Sequence, residues 1–181
     1  MLRYLLSRWL DRFERENTYD AAYLRDLLRA SRWSFVKFGL GAAAPDRSAA
    51  PIEALFAAGV SATLREDCGP CVQISVDIAA RAGVRPEVLR AVIAGDEAAM
   101  GETAAGGGRV ARASLDRDMS ACDPLREEVR RRWGETGLAA IALSMVGGRM
   151  YPTLKYALGH GLTCSQVRVA GETLKPLRLA A

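Results

Sequence analysis

Cys68 and Cys71 are separated by two residues within REDCGPCVQISVDIAARAGV, residues 65–84. A C-x-x-C pair serves thiol–disulfide exchange, metal binding or plain packing in a core. Pro70 favours a helix start at this point, with Cys68 at or just before it and Cys71 in the first turn. The unpaired N–H groups and the positive end of the helix dipole there favour a thiolate over a thiol. Cysteines in such settings titrate at roughly 3.5–7.5 instead of about 8.5. Glu66 and Asp67 work against that, since negative charge holds a proton on sulfur, but a carboxylate beside the pair is also a proton acceptor. Glu66 is the candidate for that role.

Other chemistries compete for the same residues. C-G-P-C is the thioredoxin active-site string, but here the end of a helix, ATLRED, precedes it, and no βαβ pattern surrounds it. His160 and Cys164 are four apart and complete a Cys3His set with Cys68 and Cys71. That second pair straddles Gly161 and resembles no zinc ribbon, so neither a metal nor a cofactor is expected. His160, the single histidine, reads as a loop residue after a helix stop at Gly159, and Cys122 and Cys164 read as buried thiols without chemistry.

Half of the 181 residues are hydrophobic and a quarter charged, enough apolar material for a globular core. The net charge of +4 comes from scattered arginines. The run Arg130, Arg131 and Arg132 reads as a solvated helix face, not a nucleic-acid surface. GLAAIALSMVGG, residues 137–148, is too short to span a bilayer. Arg8 interrupts the apolar opening, and no cleavage site follows, which argues against a signal peptide. These features predict a cytoplasmic protein with reduced thiols and no membrane span.

The elements that must position the cysteines all read as helices, and fewer than one residue in twenty is expected in strands. Leu2, Leu5, Leu6, Trp9, Leu10 and Phe13 recur at helical spacing. The face bearing Trp9, Leu10 and Phe13 predicts a surface for packing within the chain or against a sister subunit, hence a homo-oligomer. A second helix is expected from Thr18 or Asp20 to about Phe38, then a loop, GAAAPDRSAAP. Further helices are expected from Pro51, from the cysteine motif to about Ala82, and from Pro86 to Gly95. GETAAGGGR reads as a flexible break, Asp123–Pro124 as the start of the next helix, and Thr136 as the cap of a last one, with Pro152 as a kink. This divides the chain into an N-terminal helical arm (1–44), a helical domain (45–165) and a C-terminal tail (166–181).

A helix, a C-x-x-C at the next helix start, AARAGV and a short helix after Pro86 together resemble the AhpD-like, carboxymuconolactone decarboxylase family. LAAIALSMVGGRMYPTLKYALGHG is similar to the C-terminal helix of its longer members. The resemblance implies an all-α fold, homo-oligomeric assembly and one of two activities. In the alkylhydroperoxidase branch Cys71 attacks a peroxide, or an oxidised thiol partner is the substrate. Cys68 resolves the product as a disulfide, and a thiol reductant protein restores the pair. The alternatives are a decarboxylase-like member, which makes no use of the pair, and a non-redox helical binding protein. The family's relay histidine, four residues after the second cysteine, is Ser75 here. Its relay glutamate falls near Phe56, with Glu53 and Glu66 the nearest carboxylates, which predicts slow peroxide turnover.

Overall fold

A computed structural model describes residues 1–42, 46–162 and 166–176. The protein is all-α, with 4 % of residues in strands. Among the described residues eight helices run α1 (Leu2–Asn17), α2 (Ala22–Ala30), α3 (Arg32–Ala42), α4 (Ile52–Arg65), α5 (Gly69–Arg81), α6 (Pro86–Ala94), α7 (Glu97–Asp116) and α8 (Met119–Ala157). A two-stranded antiparallel hairpin, β1 (Val167–Val169) and β2 (Glu172–Leu174), follows.

Helix α4 lies at the centre because its small residues let two neighbours approach closely. Ala54, Ala57, Ala58 and Ala62 are all buried. A Cβ added at Gly107 of α7 would lie 2.1 Å from the Ala54 carbonyl oxygen. One added at Gly148 of α8 would lie 2.3 Å from the Gly59 carbonyl oxygen. Helices this close gain dispersion contacts that any larger side chain would abolish. The stretch GETAAGGGR breaks the helix only at its first residue, Gly101, where two helical segments meet. It belongs to α7, where Ala104, Ala105, Gly106, Gly107 and Gly108 are buried. Its glycines serve packing, and one non-helical residue, Gly101 (φ 72°), bends its start.

Two other boundaries differ from the sequence reading. The helix expected to run to Phe38 is divided at Ser31, whose backbone is extended and whose Oγ accepts from the Ser34 N–H at 3.1 Å, an N-cap that starts α3. Helix α8 begins earlier than Asp123–Pro124, because Asp118 caps it by accepting from the Ala121 N–H at 3.1 Å. Its later break falls at Gly134 (φ 72°), just before Thr136. The end of α5 follows expectation. Gly83 has φ 95°, and the Val84 N–H donates back to the Ala79 carbonyl, burying Val84.

Residues 167–174 of the expected tail form the hairpin. Ala170 (φ 48°) and Gly171 (φ 87°) make its two-residue turn, the left-handed pair that matches strand twist. Val167 and Val169 are buried in the core cluster of α5 and α6, and Arg168 exchanges backbone hydrogen bonds with the Gln73 amide. At the other end, Leu10 is fully buried and Phe13 packs edge-on to Tyr19, so those two face inward. Leu5 and Trp9 remain exposed. The first three helices pack on Ile74 of α5 and on Tyr151 and Leu154 of α8.

Candidate functional site

Glu66 is the C-cap of helix α4, Asp67 adopts a left-handed backbone (φ 46°), and Cys68 is the extended N-cap of α5. Pro70 sits at the second helical position, where a missing N–H costs nothing. Cys71 is one position further on. The two cysteines form a disulfide, with their Cα atoms 5.3 Å apart. The C-terminal end of α8 and the residues after it hold this turn in place. The Tyr156 hydroxyl donates to the Asp67 carbonyl at 3.0 Å, and the Gly69 N–H donates to the Leu162 carbonyl at 3.1 Å.

Both sulfur residues are buried, but only Cys71 lines a cavity, of about 290 Å³, between the first helices, α4, α5 and α8. Phe13, Phe56, Val60, Ile74 and Ile78 make its wall largely apolar. Arg47 contributes the cationic edge, its guanidinium 5.4 Å from the centre of the Phe56 ring. Among the described residues no Asp, Glu, His or Lys lines it. An apolar, half-open cavity against one sulfur suits a small organic molecule.

A chain of polar side chains from the α1–α2 connection, α2 and α8 leads to that sulfur. The Tyr19 hydroxyl, in the α1–α2 connection, lies 4.0 Å from Cys71 Sγ and 3.3 Å from the Tyr23 hydroxyl. Lys155 Nζ of α8 donates to the Tyr19 oxygen at 3.4 Å. Its ammonium also stands 4.8 Å and 5.3 Å from the ring centres of Tyr19 and Tyr23. Burial pushes the phenols of Tyr19, Tyr23 and Tyr151 up and holds the Lys155 amine below its usual range, with Asp20 partly opposing the shift on lysine.

The structure places the sequence candidates as follows. Cys68 and Cys71 come together at the helix start, whereas the Glu66 carboxylate accepts from Arg149 Nε and lies outside the cavity lining. Ser75 lines the cavity, and its hydroxyl donates to the Cys71 carbonyl at 2.8 Å. Phe56 is wall, and Glu53 pairs with Arg85. His160 Nε2 is 2.8 Å from Asp26 Oδ2, a clasp between the end of α8 and α2. Cys122 is a buried free thiol beside the Ser114 hydroxyl, and Cys164 lies outside the described residues.

Tyr19 and Lys155 were missed by the sequence reading. A signal existed for the lysine. Only three of the 25 basic residues are lysines, and Lys155 continues the inward stripe Ser144, Gly148, Tyr151 at helical spacing. Tyr19 carried no comparable mark, since a turn between two helices has no periodicity to read. No family model, curated protein or solved structure matches this chain.

Proposed function

We propose that this protein is an AhpD-like thiol–disulfide oxidoreductase acting on a peroxide, with Cys71 as the nucleophile and Cys68 as the resolving thiol. The observation that carries the reading is the asymmetry of the pair: both sulfurs sit at a helix N-terminus, but Cys71 alone faces a cavity. In the dithiol form the Cys71 thiolate attacks one peroxide oxygen. The O–O bond breaks, a sulfenic acid forms on Cys71, and the other oxygen leaves as an alcohol or water after taking up a proton. The Cys68 thiol then attacks the sulfenic sulfur, closing the disulfide and releasing water. A dithiol reductant protein gives two electrons and two protons to reopen the bond and becomes a disulfide itself. A cytoplasmic setting, where thiol reductants are maintained, suits this cycle.

The test is a redox titration of the purified protein with thiol counting, followed by peroxide consumption in variants. Cys71→Ser is expected to abolish sulfenic acid formation and peroxide consumption. Cys68→Ser is expected to trap the sulfenic acid or a mixed disulfide on Cys71. An adduct trapped on Cys68 instead would reverse the order of the two thiols. A pair that never cycles would leave the alternatives: a decarboxylase-like protein, or a binding protein for an apolar molecule, for which the cavity is also suited.

The proposal includes self-assembly. Trp9 and Leu40 are more than half exposed and flank one shallow apolar groove between α1 and α3. A second copy covering that groove would remove the patch from water. Light scattering at micromolar concentration is expected to give a dimer or larger, and a monomer counts against the proposal.

A further inference from the structure

Lys155 is 3 % exposed, yet among the described residues no carboxylate lies within ion-pair distance of its amine. Burying an unpaired ammonium is costly, and an apolar side chain would pack in its place. Its polar contact is the Tyr19 hydroxyl, which in turn lies 4.0 Å from Cys71 Sγ. Tyr19 has a single hydroxyl proton and two acceptors within reach, the Tyr23 oxygen and the Cys71 sulfur. A sulfur that becomes anionic draws that proton away from the neutral phenol. The position four residues after Cys71 offers only the Ser75 hydroxyl, which is no base and is already engaged with a carbonyl.

We infer that Lys155, acting through the Tyr19 hydroxyl, holds and returns the proton of Cys71, a relay assembled from the α1–α2 connection and α8. The inference rests on the redox reading above. When the disulfide opens, one proton goes to the Cys68 sulfur. The other is stored on the Lys155 amine, leaving a Cys71 thiolate, a Tyr19 hydroxyl donating to it and a Lys155 ammonium behind. When the thiolate has attacked a peroxide, the departing oxygen takes the Tyr19 proton and Lys155 replaces it, so the amine is neutral again. Tyr19 is then the group in contact with the reacting sulfur, and Lys155 is a positioning residue.

The groups facing the relay agree with this division. Tyr23 of α2 and Tyr151 of α8 stay protonated because burial raises their phenols. Burial holds the Lys155 amine below its usual range, and Asp20 beside the connection opposes that shift. His160 gives its backbone N–H to the Lys155 carbonyl but turns its ring to Asp26.

The test is the pH titration of the thiolate absorbance near 240 nm in the reduced full-length protein. Wild type, Tyr19→Phe, Lys155→Met and Lys155→Arg are each compared with the same protein carrying Cys71→Ser, which isolates the Cys71 signal. Tyr19→Phe and Lys155→Met are each expected to lower the thiolate fraction at neutral pH about tenfold, one unit of titration midpoint. Lys155→Arg, which keeps the charge, is expected to restore most of it. Unmoved midpoints in both Tyr19→Phe and Lys155→Met overturn the relay. Tyr19→Phe removes one oxygen only, so it decides the matter if Lys155→Met fails to fold. A pair that cycles with an unmoved midpoint sinks the relay alone, whereas a pair that never re-forms its disulfide sinks the redox reading.

Discussion

Cys68 and Cys71 share a helix start, and the proposed redox cycle gives them different work on grounds that local electrostatics would not supply. The helix dipole acts on both sulfurs and favours the more N-terminal one at least as strongly. Access decides the other way, since Cys71 lines the cavity and Cys68 does not. Position 75 then becomes a test of how far proton handling limits turnover. Its side chain reaches the cavity, and a ring there would stand one turn beyond Cys71. Ser75→His is expected to raise the peroxide rate at neutral pH by tenfold or more, a modest part of what a positioned base supplies. An unchanged rate, with the fold intact, would mean that proton transfer is not limiting. The thiol pair and its helix start were legible in the sequence because C-x-x-C and Pro70 are local signals. The commitment of Glu66 to Arg149, 83 positions away, was not, because an ion pair between distant segments leaves no trace in spacing.

At the scale of elements, the contact between α4 and α7 depends on an absent side chain. An alanine methyl at position 107 would overlap the Ala54 carbonyl, and two helix backbones must separate to admit it. Gly107→Ala is expected to destabilise the protein by about 2 kcal/mol, despite the gain in helix propensity of about 1 kcal/mol that alanine brings. Gly39→Ala is the control. Gly39 is exposed in α3, and nothing lies within 4 Å of its added Cβ, so it is expected to gain about 0.5–1 kcal/mol. Denaturant midpoints at constant slope distinguish the two. Gly107 also explains why the break expected over GETAAGGGR is confined to Gly101. A Gly-rich stretch signals a break when it faces solvent and a close helix crossing when it faces a core, and composition alone does not separate the cases. The helices opened by Pro51 and Pro86 and those closed by Gly83 and Gly95 were readable because their signals act within one turn. The hairpin escaped because VRV is a single short alternation, too brief for periodicity to register.

For the whole molecule, the relay predicts a stability cost that can be read as a function of pH. In the oxidised protein the amine of Lys155 is buried, so its folded affinity for a proton falls below that of the unfolded chain. Between the lowered folded value and the usual lysine range the unfolded chain binds more protons, and stability therefore rises with pH across that window. The phenols of Tyr19, Tyr23 and Tyr151 act in the opposite sense. Their folded values are raised, so their contribution is intact below the ordinary tyrosine range and is lost above it. The oxidised wild type is therefore expected to gain thermal stability as pH climbs through that window below the usual lysine range, and to lose it again once unfolded tyrosines ionise. Lys155→Met should abolish the rise while leaving the alkaline fall. At neutral pH it should stabilise the oxidised protein by about 1–2 kcal/mol, roughly 2–8 °C in melting temperature. Under the proposed relay the reduced protein is expected to respond differently, because a Cys71 thiolate would then compensate the ammonium. There the gain from Lys155→Met should shrink or reverse. A lysine kept only for packing would give the same difference in both redox states. Melting curves of wild type and Lys155→Met, oxidised and reduced, across this pH range therefore show whether the buried charge is coupled to the sulfur.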